Sequence, residues 1–181
     1  MYQAIDGNSL LERIKGIVTL KDPTYEEIEH DQSAMTQAAV VVVAAGLATG
    51  IGTIDDRWYA IIVQPVATIL AWLIGAFFIY FVGTRLIPSA QTEADYGQVL
   101  RLTGFAMITG VANLINFIPV LGPLVAFVAA ILGIVIIVKA IMHALEMSVL
   151  RAIATGICAG IVEAIVIGII GAIFGLSYMA F

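Results

Sequence analysis

One carboxyl stands alone in a long apolar run near the end of the chain. Glu163 is surrounded in sequence by Ile157, Ile161, Val162, Ile165, Val166 and Ile167. A charge buried in hydrocarbon is expensive, so such a residue must face a protein interior or a cavity. Two roles suit it: a proton or cation site, or a neutral carboxyl hydrogen-bonded between helices as packing glue. Counting about 1.5 Å of rise per helical residue puts Asn113 at the same depth. The expectation is a Glu163–Asn113 contact with Asn116 nearby, forming an intramembrane polar site.

A second group is Lys139, His143 and Glu146. Spacings of four and three place them on one helical face. His and Glu can ligate a metal, but two donors do not close a zinc site, and the only other histidine is His30. A snorkelling, salt-bridged polar face is the simpler reading, with no metal. No cofactor is expected, although bound lipid would be compatible, and two histidines at polar helix ends are poor evidence for a pigment. HExxH, GxSxG, phosphate-loop and Cys/His cluster signatures are absent, so no catalytic residue and no enzyme is expected. The single Cys158 lies in an apolar run and reads as a small inert hydrophobe.

These residues need elements to hold them, and the composition says which. The 181 residues are 61% hydrophobic and 12% charged, with mean hydropathy +1.06. Ordinary soluble domains run about 45–50% apolar and about 25% charged. A soluble fold this small cannot bury so much apolar surface, so part of the solvent is lipid. The net charge of −5 argues against nucleic acid as a partner.

Seven of the thirteen acids precede residue 34. Residues 1–33 therefore read as a cytoplasmic or interfacial segment, and 34–181 as a membrane domain. Within the first, 9–20 has Leu10, Leu11, Ile14, Ile17 and Val18 at helical spacing, with Arg13 and Lys15 elsewhere on the wheel. It is too short to span and should lie on the membrane surface or against the bundle. It does not look like a cleaved signal. Ser9 with Glu12 reads as a capping box. Asp22 before Pro23 reads as the cap of a helix that runs on into the first span.

Spans are expected at about 34–54, 58–84, 99–117, 120–142 and 150–176, each long enough for a hydrocarbon core about 30 Å thick. Pro65 is a candidate kink. Thr92 and Asp95 read as a capping pair for the third span. Pro119, Gly122 and Pro123 mark a tight hairpin between the third and fourth. The small-residue pairs Gly46–Gly50, Gly156–Gly160 and Gly171–Gly175 suit close helix packing within the chain. The expected fold is an all-α membrane protein, a bundle of five transmembrane helices with a short N-terminal amphipathic helix.

Five crossings put Arg13, Lys15, Lys21, Arg85, Arg101, Lys139 and Arg151 on one side and Arg57 alone on the other. The positive-inside rule then gives a cytoplasmic N-terminus and an outside C-terminus.

Several segments together resemble the Yip-one domain family, the Ypt/Rab-interacting-protein type of five-span membrane proteins. They are Pro23, Tyr25 and Ile28 before the first span, then Asp95-Tyr96-Gly97-Gln98-Val99-Leu100-Arg101 leading to Gly104-Phe105-Ala106. The hairpin Ile118-Pro119-Val120-Leu121-Gly122-Pro123 follows, then 139–145, Ser148 and Arg151-Ala152. The resemblance covers about residues 10–175 and implies a five-helix bundle with a cytoplasmic N-terminus. Eukaryotic members of that family are membrane adaptors that bind Rab-type GTPases. This chain lacks their long soluble N-terminal region and their Asp-Leu-Tyr-Gly-Pro string. It looks like the short prokaryotic branch, in a plasma membrane, where the GTPase role is not carried over and no catalytic residue is implied.

Three functions follow as expectations. The first is a non-enzymatic scaffold, adaptor or accessory subunit of a membrane complex, its partners being lipid and other membrane proteins or copies of itself. The second is a small transporter or proton/cation pathway centred on Glu163. The third is lipid handling or membrane shaping by 9–20.

Overall fold

A computed structural model describes residues 7–53, 58–89 and 94–173. Its elements are α1 (Gly7–Val18), α2 (Asp22–His30), α3 (Ala34–Gly52), α4 (Ala60–Phe81), α5 (Tyr96–Ala106), α6 (Leu121–Ala144) and α7 (Val149–Ile173). α4 continues as a π-helical turn, Val82–Leu86, and α5 as a 3₁₀ stretch, Met107–Ile115. Five helices are long and apolar enough to cross a membrane: α3, α4 with its π turn, α5 with its 3₁₀ stretch, α6 and α7. The 24 residues of α6 make a rod about 36 Å long, against a hydrocarbon core of about 30 Å.

α3 is the central rod. Half of its most apolar window is buried, against 17% for α6 and α7. It packs on α4, on α5 and on the 3₁₀ stretch, while α7 packs on α4 and α6. Gly46 lies against Pro65, and Gly50 against Ala60 and Ile61. That pairing sets α3 and α4 antiparallel at backbone contact, which is what small residues at this spacing permit. On α6 and α7 the outward residues are aliphatic: Val128, Ile131, Leu150, Ile161 and Ile165 are exposed. Lipid suits these faces because it keeps their apolar surface out of water.

α1 and α2 do not span. They form a cap packed on α5 and α6. Ile17, Tyr25 and Ile28 are fully buried in that contact, whereas Leu11 is 66% exposed. Arg13 is buried with Ile17, one turn away on the same face. That corrects the reading that set it apart from the apolar stripe.

Helix ends differ from expectation in four places. Ser9 lies inside α1 and its Oγ accepts from Gln37 Nε2 (3.3 Å), so it does not act as a cap paired with Glu12. Lys21 is the N-cap of α2, and Asp22 is the first helical residue. α2 does not run into α3. Asp31 accepts from Ser33 N (2.8 Å) and Ser33 Oγ (2.7 Å), a local turn that competes with helix and separates the two. In place of the expected Thr92–Asp95 pair, Asp95 is itself the N-cap of α5 and pairs with Gln98 in a reciprocal capping box. Thr92, Arg57 and the second glycine of Gly171–Gly175 lie outside the described residues.

The hairpin before α6 turns on Val120, with φ 69° and ψ −48°. Leu121 N donates to Pro119 O at 2.8 Å, closing a γ-turn of the rare positive-φ kind, which a β-branched residue enters only under strain.

Candidate functional site

The polar side chains gather in two places, and the first is the cap. Arg13 is its hub. Its Nε and Nη2 donate to Glu27 Oε1 (3.0 and 2.8 Å), Nη2 also to Asp31 Oδ2 (2.5 Å), and Nη1 to the buried Gln37 Oε1 (2.7 Å). One guanidinium thus joins α1, α2, the α2–α3 turn and α3. Its planar fork of donors is what such a junction requires. Burial alone would push the Asp31 carboxyl up, but hydrogen bonds from Ser33 and Arg13, with the Arg13 charge, hold it below the ordinary range.

Arg101 on α5 is the second anchor. It is buried, and it donates through Nε to Ile28 O (3.1 Å) and through Nη2 to Glu29 O. These carbonyls belong to the last turn of α2, where helical acceptors lack partners and the dipole favours a cation. Beside them, burial pushes the Glu29 carboxyl up.

Lys139 and His143 of α6 do share a face, and α2 completes it. Lys139 Nζ donates to Leu20 O and lies 2.9 Å from Asp22 Oδ1. His143 Nε2 is 3.1 Å from the same oxygen and its ring stacks on Tyr25 at 5.2 Å. Hydrogen bonds from Lys139, then His143, hold Asp22 below the ordinary carboxylate range. Tyr25 gives its hydroxyl proton to Ile17 O (3.1 Å), and burial pushes its phenol well up. Glu146 is not on this face, contrary to its spacing. α6 stops at Ala144, Glu146 has φ 46°, and its carbonyl accepts from Ser89 Oγ (3.0 Å). Among the described residues no group of three or more His, Cys, Asp or Glu could hold a metal.

The other motif residues are at helix junctions. Pro23 occupies the first turn of α2. Tyr96 gives its hydroxyl proton to Leu73 O (2.7 Å), and a Cβ on Gly97 would meet Asp95 Oδ1 at 2.8 Å. Gly122 is against the Asn116 backbone, and Pro123 follows in the first turn of α6. Ser148 O receives Ala152 N (2.9 Å) where α7 begins, and Arg151 Nη1 donates to Pro88 O (2.7 Å).

The second polar place is an open cavity between the spans. A cavity of about 540 Å³ receives residues from all five spans, among them Thr49, Thr68, Thr103, Thr109 and Glu163. Glu163 is half-buried, with its carboxylate turned toward Gly75 of α4. The expected Glu163–Asn113 contact is not made. Asn113 Nδ2 donates to Thr49 Oγ1 (3.1 Å), and Asn116 Nδ2 approaches Asn113 Oδ1 at 3.4 Å. The reason is geometric. The depth estimate assumed α-helix throughout, but 107–115 is 3₁₀ and rises about 2.0 Å per residue. The 3₁₀ rise adds about 3.5 Å over 107–113, and α5 opens at Tyr96, about 4.5 Å before the expected start at 99, so Asn113 lies roughly 8 Å further along the bundle than Glu163. Asn116 Oδ1 is buried without a hydrogen-bond partner among the described residues.

Residues 15–176 match the Yip1 domain. The chain belongs to the Yip1 domain family. It is an integral membrane protein of that family, and its apolar spans contact lipid. No curated protein and no solved structure matches the chain.

Proposed function

We propose that this Yip1-domain protein is a non-enzymatic membrane adaptor, an accessory subunit whose recognition surface is the α1–α2 cap on the cytosolic side of a prokaryotic plasma membrane. The observation that carries the reading is the way the cap is held. Two buried arginines and Lys139 tie a pair of short helices to α3, α5 and α6, although burying charge is a weak route to stability. Such devices are best justified when the position of a surface matters. The cap is acidic overall, with six carboxylates against three cations over 7–33, and Glu12 and Glu26 are exposed and engaged in none of these bonds, beside exposed Lys15 and Lys21. A partner with a basic patch fits it by electrostatic complementarity.

Support for the orientation comes from the cations. Arg13, Arg101 and Lys139 meet at the cap, and Arg151 binds Pro88, close in sequence to Arg85. One end of the bundle therefore collects the positive charge that marks the cytosolic side. An ion path across the membrane is the weaker reading, because Glu163 is the sole charged residue lining the bundle cavity.

The test is purification from native membranes in mild detergent, comparing the unaltered chain with the Glu12→Lys/Glu26→Lys double variant. The reading expects a stoichiometric partner with the former and its loss with the latter. A chain that emerges alone or as a homo-oligomer in both cases refutes it.

A further inference from the structure

The bundle cavity has spent its donors. Thr68, Thr103 and Thr109 give their hydroxyl protons to Gln64, Val99 and Ala106 carbonyls one turn back. Thr49 does the same to Ala45 O, and the Trp72 indole N–H is committed to Leu100 O (3.0 Å). An occupant therefore meets lone pairs: hydroxyl oxygens, each with acceptor capacity left, and the Glu163 carboxylate. Among the described residues Glu163 has no hydrogen-bond partner of its own. A site that offers acceptors and one carboxylate suits a cationic head rich in N–H. It repels phosphate, sulfate or carboxylate, which would face like charge without donors.

Glu163 also borders a second cavity of about 590 Å³ between α4, α6 and α7. Apart from Glu163 its lining is aliphatic side chains and glycines, and a Cβ on Gly160 would meet nothing within 4 Å. The two cavities share Ile79, Ile134, Ile137 and Glu163, so the carboxylate stands at their junction. Each volume falls in the range of about 300–1,000 Å³ typical of ligand pockets.

We propose that the two cavities form one intramembrane binding site for a single-chain amphiphile with a primary ammonium head. The ammonium pairs with Glu163 and donates to the threonine oxygens, and the alkyl chain fills the α4–α6–α7 cavity. The first cavity supplies the threonine oxygens, set among small apolar residues, and the second is aliphatic apart from Glu163, in the order such a molecule requires. It is independent of the adaptor reading, since no cap residue takes part.

The test uses the full chain with Trp58→Phe, so that Trp72 in the cavity wall is the one emitting tryptophan, in phosphatidylcholine vesicles. Stearylamine carrying a nitroxide near its head is the probe. Saturable quenching of Trp72 is expected. Dodecylamine should compete, while dodecanol and dodecyltrimethylammonium compete at least about tenfold less well, because each lacks the charge or the N–H donors. Glu163→Gln should weaken binding at least about tenfold. Gly160→Phe, whose side chain grows into open space, should abolish the saturable component with circular dichroism unchanged. Quenching that rises linearly with membrane amine overturns the site, as does equal competition by dodecanol or by the quaternary amine, or quenching undiminished in both variants. Should Glu163→Gln fail to fold, the competition series and Gly160→Phe still decide.

Discussion

Replacing Arg13 with Met keeps the length and apolar stem of the side chain but removes every donor of the hub. The size of the effect follows from the partners it leaves. The Glu27 and Asp31 side chains are 56% and 34% exposed, so each can rehydrate, and each lost ion pair costs about 0.5–1 kcal/mol. Gln37 is different: it is buried, and Oε1 would lose a charged donor. Hydrogen bonds to charged groups contribute about 1.5–3 kcal/mol. The sum is about 3 kcal/mol, or roughly a hundredfold rise in the open population of the cap at 1.4 kcal/mol per factor of ten. Hydrogen exchange in lipid nanodiscs reads this directly. Amides of 10–18 should lose about two orders of magnitude of protection while those of α3 and α4 keep theirs, because the cap opens as a local unit. Glu27→Gln, which removes one exposed partner, should lower protection only severalfold. Unchanged protection of α1 in Arg13→Met would refute the reasoning, and so would equal loss across all helices.

Three further outcomes are expected. Arg101→Lys retains the charge but cannot serve both carbonyls of Ile28 and Glu29, leaving a buried acceptor unmet; the cost is about 1–3 kcal/mol, read as a lower thermal midpoint. Val120→Gly removes the positive-φ strain of the hairpin and should stabilise the chain by about 1 kcal/mol in the same assay. Acid should loosen the cap. Asp22 and Asp31 are held below their ordinary range, so their stabilisation is complete above about pH 4. It is lost as pH falls through the lowered folded values. Glu29 is pushed up and has the opposite sign, easing as it protonates. Protease cleavage between 10 and 33 should therefore rise from pH 5 to pH 3 as the two aspartates prevail, and a flat profile would contradict it.

Membrane character, five spanning helices and family were legible in the sequence because each is written locally. Long apolar runs give spans, and Pro-Gly-Pro gives a hairpin. What was illegible depends on pairing across the fold. Arg13 meets Gln37 over 24 positions and Arg101 meets Ile28 over 73, and no local period records either bond. A signal for Arg13 did exist, since it is four residues from Ile17 and three from Leu10, on the apolar face. The 3₁₀ stretch was hidden because Met107–Ile115 is as apolar as an α-helical span, and this displaced Asn113 from Glu163. Glu146 was misplaced for a related reason: spacing puts residues on one face only while the helix lasts, and α6 ends at Ala144.

The central claim is that the cap is a surface for a partner. A photo-cross-linking residue at Glu26, exposed on α2, compared with one at Ile157, exposed on α7 where it lines the α4–α6–α7 cavity, tests it in native membranes. The account predicts one discrete protein adduct from position 26 that disappears with Glu12→Lys, and only lipid adducts from 157. Protein adducts from 157 with none from 26 would contradict it.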